Sequence, residues 1–526
     1  MFVVSRCQFR LAGVARSLVR HSHSLVIDQK EMFSVTQVRW LYNEEKQRAV
    51  RYVPFNIQAL VDVGLDVADA DECVSLRKIS DGVSGRAFEL KFDNGAELVA
   101  KIPYPTAGPK HLATASEVAT MDFVRTELGL PVPIVRAWSS IPESTPVGAE
   151  YIMWDKIPGA PLSTLDQIGA ALPLEQDPFT SKQVLSGMQR VESKLYNFSF
   201  SYIGSIYYKQ DVPEIHRRPL SRYVTNPNME RFCIGPSVDV EFWRSGRAAL
   251  PVDRGPWSTK HSCYKALLDL ARSSLDIAKS DPSMHQQYSA ILSNYEEILS
   301  YLADPEGQAN ILWHELPASA IIVDHTSTPS SFSGVVNWRN LTVLPYFIPL
   351  SEPNVYFRFP HPLIDESDPD NPRISEELDK DHDDSTGRIV QLALRNALRA
   401  KQHRDHVSKT DPKLARDIFS GRDTEDASSI QALRELSAFS EAVTHHDGEG
   451  ALSALRMALF VSKGIYGRDV GPRALEEWPL PDIEKEELVK SVRELLLLRQ
   501  RIQLESDMFA QIGVSAKADD GTTGRL

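Results

Sequence analysis

Val99-Ala100-Lys101 closes a strand-like run over residues 97–102, and Glu117 follows in the first turns of the next helical pattern. Working outward from that run, residues 73–79 and 86–92 alternate in the manner of strands. Asp93-Asn94-Gly95 is a strong hairpin turn ahead of the third strand. A Pro- and Gly-rich loop over 103–109 leads to a helix from about Thr114. There Val118, Met121, Val124 and Leu128 recur at helical spacing until Gly129 and Pro131 stop the run. Two more apolar strands are expected over 134–138 and 150–155. Three strands, a helix and two strands make a small mixed lobe. A kinase site needs a third-strand lysine at the phosphates and a helix glutamate to hold it, and Lys101 and Glu117 stand in that order. Alone, they could equally be two solvated charges. The preceding turn, Ser80-Asp81-Gly82-Val83-Ser84-Gly85-Arg86, has two glycines that free backbone N–H groups to cradle phosphate. Any tight hairpin would want such residues too.

After Pro158-Gly159 the pattern turns mainly helical, with periodic segments near 264–279, 285–302, 389–401, 430–443, 452–462 and 483–509. A strand-rich, Trp-containing stretch over 311–347 interrupts them. The acidic segment 365–384 reads as a solvated loop and 515–526 as a frayed tail. The 526 residues are 42% apolar and 25% charged, which suits a globular protein of two large lobes. A net charge of −13 argues against nucleic acid as a partner. No apolar run is long enough for a transmembrane segment. Cys7, Cys73, Cys233 and Cys263 are too scattered for a disulfide framework or a zinc site, so a reducing compartment is expected. Residues 1–27 carry Arg6, Arg10, Arg16 and Arg20 and no acid, with Val3, Val4, Leu11, Val14 and Leu18 on the opposite helical side. That is the pattern of a mitochondrial presequence, although a basic tail would share the charge.

Several ordered blocks carry a resemblance. They are Ala100-Lys101-Ile102-Pro103, Ala107-Gly108-Pro109, Ala115-Ser116-Glu117-Val118-Ala119-Thr120-Met121, Pro131-Val132-Pro133, Val147-Gly148-Ala149-Glu150-Tyr151-Ile152-Met153 and Gly204-Ser205. Arg231-Phe232-Cys233-Ile234-Gly235-Pro236-Ser237 and Arg254-Gly255-Pro256-Trp257 continue the series. Together they resemble the fungal mitochondrial branch of the aminoglycoside phosphotransferase family over most of residues 38–350. The resemblance implies an α+β, protein-kinase-like bilobal fold. Its N-lobe (38–155) would hold a five-stranded antiparallel sheet and one helix. A larger, mainly helical C-lobe (156–510) and a flexible tail (511–526) would follow. It implies ATP contacts at Gly82, Gly85, Lys101, Glu117 and Met153, with the hinge near Met153 to Lys156.

The family's H-x-D-L-H-x-x-N motif corresponds to Trp313-His314-Glu315-Leu316-Pro317-Ala318-Ser319-Ala320, one residue shorter before Glu315. Glu315 falls at the catalytic base and Ala320 at the metal-binding Asn. The later I-D-W motif becomes Val336-Asn337-Trp338, with Asn337 at the metal-binding Asp. Glu for Asp moves the carboxylate by roughly 1 Å, a displacement that can cost on the order of 10²-fold. Ala320 offers no ligand, and Asn337 offers one neutral oxygen to a hard cation that prefers carboxylates. The glycine loop departs as well, since the family's E-G-G-F-N-K-x-F is here Asp81 to Phe88. The expectation is a kinase fold that has lost phosphoryl transfer. It would hold ATP without tightly bound magnesium, or act on an unknown protein partner or small molecule. The rivals are an active ATP-dependent small-molecule phosphotransferase with Glu315 as base, and a structural interaction protein with no nucleotide. The blocks at Arg231 and Arg254 read as structural, with Trp257 a buried anchor.

Overall fold

The computed structural model describes residues 29–419, apart from 41–42, 167–171, 222–225, 245, most of 278–308, 327–328, 346–352, 354–363, 366–370 and 375–383. The presequence, the tail and the helices expected over 430–509 lie outside the described residues, as do most of 285–302 and 365–384. The chain divides into two compact units, residues 1–263 with 307–423 and residues 264–306 with 424–526. The sheet and the candidate site belong to the first.

That unit opens with three helices, α1 (Gln29–Phe33), α2 (Glu44–Ala49) and α3 (Ile57–Ala68). Strands β1 (Cys73–Asp81), β2 (Gly85–Phe92) and β3 (Glu97–Pro103) follow, then α4 (Leu112–Thr126), β4 (Val135–Ser139) and β5 (Tyr151–Asp155). The five strands form one antiparallel sheet in the order β1-β2-β3-β5-β4. Both faces are covered, which is why β3 is buried along nearly its whole length. On one face Leu98, Ala100, Ile102, Tyr151 and Met153 pack with Phe88, Leu90 and Phe92 against Leu60 and Leu65 of α3. Asn56 caps α3, its side chain accepting from the Ala59 N–H, and Gly64 lets the Phe92 ring approach where a Cβ would lie 2.9 Å from it. On the other face Val99, Ile152 and Trp154 pack against Val118, Met121 and Phe123 of α4.

The second lobe is joined to the first through α4. One core runs from Phe123 to Phe200 and Phe232, and on to Leu312, Val335 and Trp338. After the short strand β6 (Ala160–Pro161), the helix α5 (Lys182–Tyr196) packs on this core. The hairpin β7 (Ser205–Tyr208) and β8 (Phe232–Gly235) reaches back to α4, where the Tyr208 hydroxyl donates to Asp122 at 2.8 Å. The helix α6 (Lys260–Ile277) begins four residues before its periodic pattern does. Strands β9 (Asn310–Leu312) and β12 (Val343–Pro345) pair, as do β10 (Ile321–Asp324) and β11 (Ser331–Val335), with β10 also joining β6. The long helix α7 (Asp384–Thr410) and α8 (Pro412–Phe419) complete the described part. Trp257 is a buried anchor: its backbone pairs with Ile203, and its indole donates to Asp253 at 2.9 Å.

Candidate active site

Register decides which side chains meet. Lys101 stands opposite Ile152 on the sheet face that looks toward α4, and Glu117 lies in the second turn of that helix. The Lys101 ammonium donates to both Glu117 carboxylate oxygens, at 2.7 and 3.0 Å, with both residues buried. Because α4 is buried on almost every side, Glu117 has little freedom to swing away. Burial pulls the Lys101 pKa below the ordinary lysine range against the stabilising effect of Glu117.

Gly85 belongs with this pair. A Cβ there would lie 2.8 Å from the Ile102 carbonyl and 3.3 Å from Lys101 Cε, so only glycine lets the turn sit so close to the lysine. The Gly82 N–H donates back to the Gly85 carbonyl at 2.9 Å, closing the turn on itself. The flanking Asp81 and Arg86 are fully buried in a network the sequence did not reveal. Asp81 accepts from the Thr36 and Gln37 N–H groups (2.8 and 3.2 Å) and from Lys78 and Arg86 (3.1 and 3.2 Å). Arg86 donates to the Met32 carbonyl at 2.9 Å. The N-terminal segment is thus strapped to the base of the glycine turn.

Met153 does not join the site. It pairs with Ala100 and faces α3, on the side of the sheet opposite Lys101, and β5 is flanked by β3 and β4. A hinge contact at Met153 is therefore corrected. The first backbone beyond the Asp155 and Lys156 N–H groups, which donate to the Ile134 and Glu97 carbonyls, lies at Ile157 to Gly159.

The three motif positions do come together. Ala320 is buried at the foot of β10, and its carbonyl accepts from the Val336 N–H at 2.9 Å, next to Asn337. His314 joins the two loops: its Nδ1 accepts from the Leu316 N–H at 3.0 Å, so its Nε2 carries the proton toward the Asn337 carbonyl at 3.2 Å. Burial brings the His314 pKa down to about 4, which keeps the ring neutral. Glu315 and Asn337 are exposed. At the two positions where the resemblance implies magnesium ligands, a buried methyl (Ala320) and a neutral amide (Asn337) do not fit a hard divalent cation.

Arg339, missed in the sequence reading, links the motif loop to the lysine pair. Its Nε donates to the Ala107 carbonyl at 3.1 Å, and its Nη1 lies 3.4 Å from Glu117 Oε2. Asn340 donates to the same carbonyl at 2.8 Å. The only available signal was an Arg directly after the Asn337-Trp338 pair.

The sheet order, α4 and the buried Lys101–Glu117 pair define a kinase-like fold. No family model matches the chain. It is similar to altered inheritance of mitochondria protein 9 of Yarrowia lipolytica, 25% identical over 347 residues, covering 60% of this chain and 58% of that one. It is also 40% identical over 186 residues to a subtelomeric hrmA-associated cluster protein of Aspergillus fumigatus, covering 35% of this chain and 33% of the relative. The chain therefore spans between a third and three-fifths of these relatives' length. Among solved structures, aminoglycoside phosphotransferase APH(4)-Ia aligns at 12% identity and a TM-score of 0.40, over 78% of this chain and all of that one. The fold stands on the strand order and pairing above, not on that likeness. The resemblance to the mitochondrial branch and the mitochondrial localisation are borne out by the sequence relatives. No helix among the described residues is long and apolar enough to cross a membrane.

Proposed function

We propose that this mitochondrial kinase-fold protein is a pseudokinase, one that holds a nucleotide at Lys101 and Glu117 and does not transfer its phosphate. One observation carries the reading: the lysine–glutamate pair is assembled and buried, while Ala320 and Asn337 stand where the resemblance implies the metal ligands. In phosphoryl transfer most of the protein's contribution is positioning and charge neutralisation at the phosphates. Keeping the lysine and losing the metal ligands preserves binding and removes the chemistry. Residues 1–27 are read as the transit peptide that delivers the chain.

The test is calorimetric titration of the chain lacking residues 1–28 with ATP, beside a hydrolysis assay. The expected result is saturable binding by the wild type, loss of binding in Lys101→Met, and no turnover. Combining Glu315→Asp, Ala320→Asn and Asn337→Asp should then introduce magnesium-dependent hydrolysis. Ready turnover by the wild type, or undiminished binding by Lys101→Met, would sink the reading. Fusing residues 1–28 to a fluorescent reporter should carry it into mitochondria.

A further inference from the structure

Two cations share one carboxylate at the centre of this site. Lys101, Arg339 and Glu117 are 7%, 8% and 1% exposed, so the cluster keeps an excess positive charge in a largely desolvated place. Buried charge is costly unless it is matched. Lys101 donates to Glu117 alone, and Arg339 spends its Nε and Nη1 on Ala107 and Glu117. Among the described residues, the remaining lysine N–H and the arginine Nη2 have no protein acceptor. Tethering the loops does not require this charge, because Asn340 already donates to the Ala107 carbonyl. Arg339 also stands two residues from Asn337, where the metal position has lost its carboxylate.

We propose that Arg339 supplies the charge a metal ion would otherwise bring, so that the site takes the metal-free polyphosphate of a nucleoside di- or triphosphate. This rests on the nucleotide-holding reading above. The bound phosphates receive Lys101 and Arg339 and complete the charge balance around Glu117. Magnesium then opposes binding: it reduces the anion's charge and adds a hydrated cation that Arg339 repels and that neither Ala320 nor Asn337 meets with a carboxylate.

The test is equilibrium binding of ATP and of inorganic tripolyphosphate, each in chelator and in excess magnesium, to the wild type, Arg339→Gln and Arg339→Lys. The wild type should bind both probes in chelator and lose about tenfold or more in affinity with magnesium. Arg339→Gln should lose roughly tenfold to a hundredfold for metal-free ATP, the scale of a charge-assisted bond, along with the magnesium effect. Arg339→Lys should retain the preference for the metal-free ligand. Tighter binding with magnesium, or wild-type affinity in a folded Arg339→Gln, overturns the role of Arg339 and leaves nucleotide holding intact. Failure of the wild type to bind either probe overturns both. Should Arg339→Gln fail to fold, the wild-type magnesium response and the lysine variant still decide.

Discussion

At Leu316, in the loop between His314 and Ala320, the backbone adopts φ +45° with the side chain fully buried. A leucine in the left-handed region costs roughly 1–2 kcal/mol. His314 holds this backbone by accepting the Leu316 N–H. The ring must stay neutral to do so. With a folded pKa of about 4 against the ordinary 6.5, the unfolded chain binds more protons between those values. The His314 contribution is therefore present above pH 6.5 and lost as pH falls toward 4, by about 3 kcal/mol. Urea unfolding at pH 7 and pH 4.5 should show this slope, and His314→Gln should reduce it. The charge count at Lys101, Glu117 and Arg339 makes a second residue-scale prediction. Glu117→Gln leaves two buried cations unmatched and should cost about 3–5 kcal/mol. Lys101→Met leaves a balanced Arg339–Glu117 pair and should cost much less in the same unfolding assay. The reverse order would refute the count.

Among the elements, the glycine turn and the N-terminal strap behave as one unit. Lys78 donates to the Glu31 and Ser34 carbonyls (3.1 and 3.2 Å), while Asp81 and Arg86 grip residues 32–37. Asp81→Asn removes the one carboxylate between Lys78 and Arg86 and should destabilise by roughly 3 kcal/mol or more. The expected readout is faster tryptic cleavage at Arg39 or Lys46 than in the wild type. Equal cleavage rates would mean that the strap is held by its apolar contacts instead. Packing between α5 and β11 sets another limit. A Cβ on Gly187 would lie 2.2 Å from Phe332 Cγ, so Gly187→Ala should lower stability by about 1–3 kcal/mol despite alanine's better helix propensity. Thermal unfolding checks the sign.

For the whole molecule, the strap sets where the N-terminus can be trimmed. A chain beginning at Gln29 keeps every partner of Lys78, Asp81 and Arg86 and should unfold at the wild-type temperature. A chain beginning at Pro54 strands these buried charges and should lose roughly 5 kcal/mol or fail to fold. Much of the first lobe was legible in the sequence because its signals are local. Asp93-Asn94-Gly95 specifies a hairpin, Val118 to Val124 a helix, and the order of Lys101 and Glu117 the pairing of one with the other. Alternation along β3 and β5 did not say which side chains meet, because both faces of the sheet are buried and a period of two then marks no preferred side. That is why Met153 was placed at the site when its side chain faces α3. Arg339 meets Glu117 across 222 residues of chain, and Arg86 meets the Met32 carbonyl across 54. No local pattern encodes such meetings. The sequence by itself determined the succession of strands and helix in the first lobe and the chain order of the lysine and the glutamate, which follow from residue type and short spacing. Only the tertiary structure decided that the glycine turn is strapped from outside and that a second cation sits on Glu117. Both depend on which distant segments close on one another, and that is settled by the burial of the whole core.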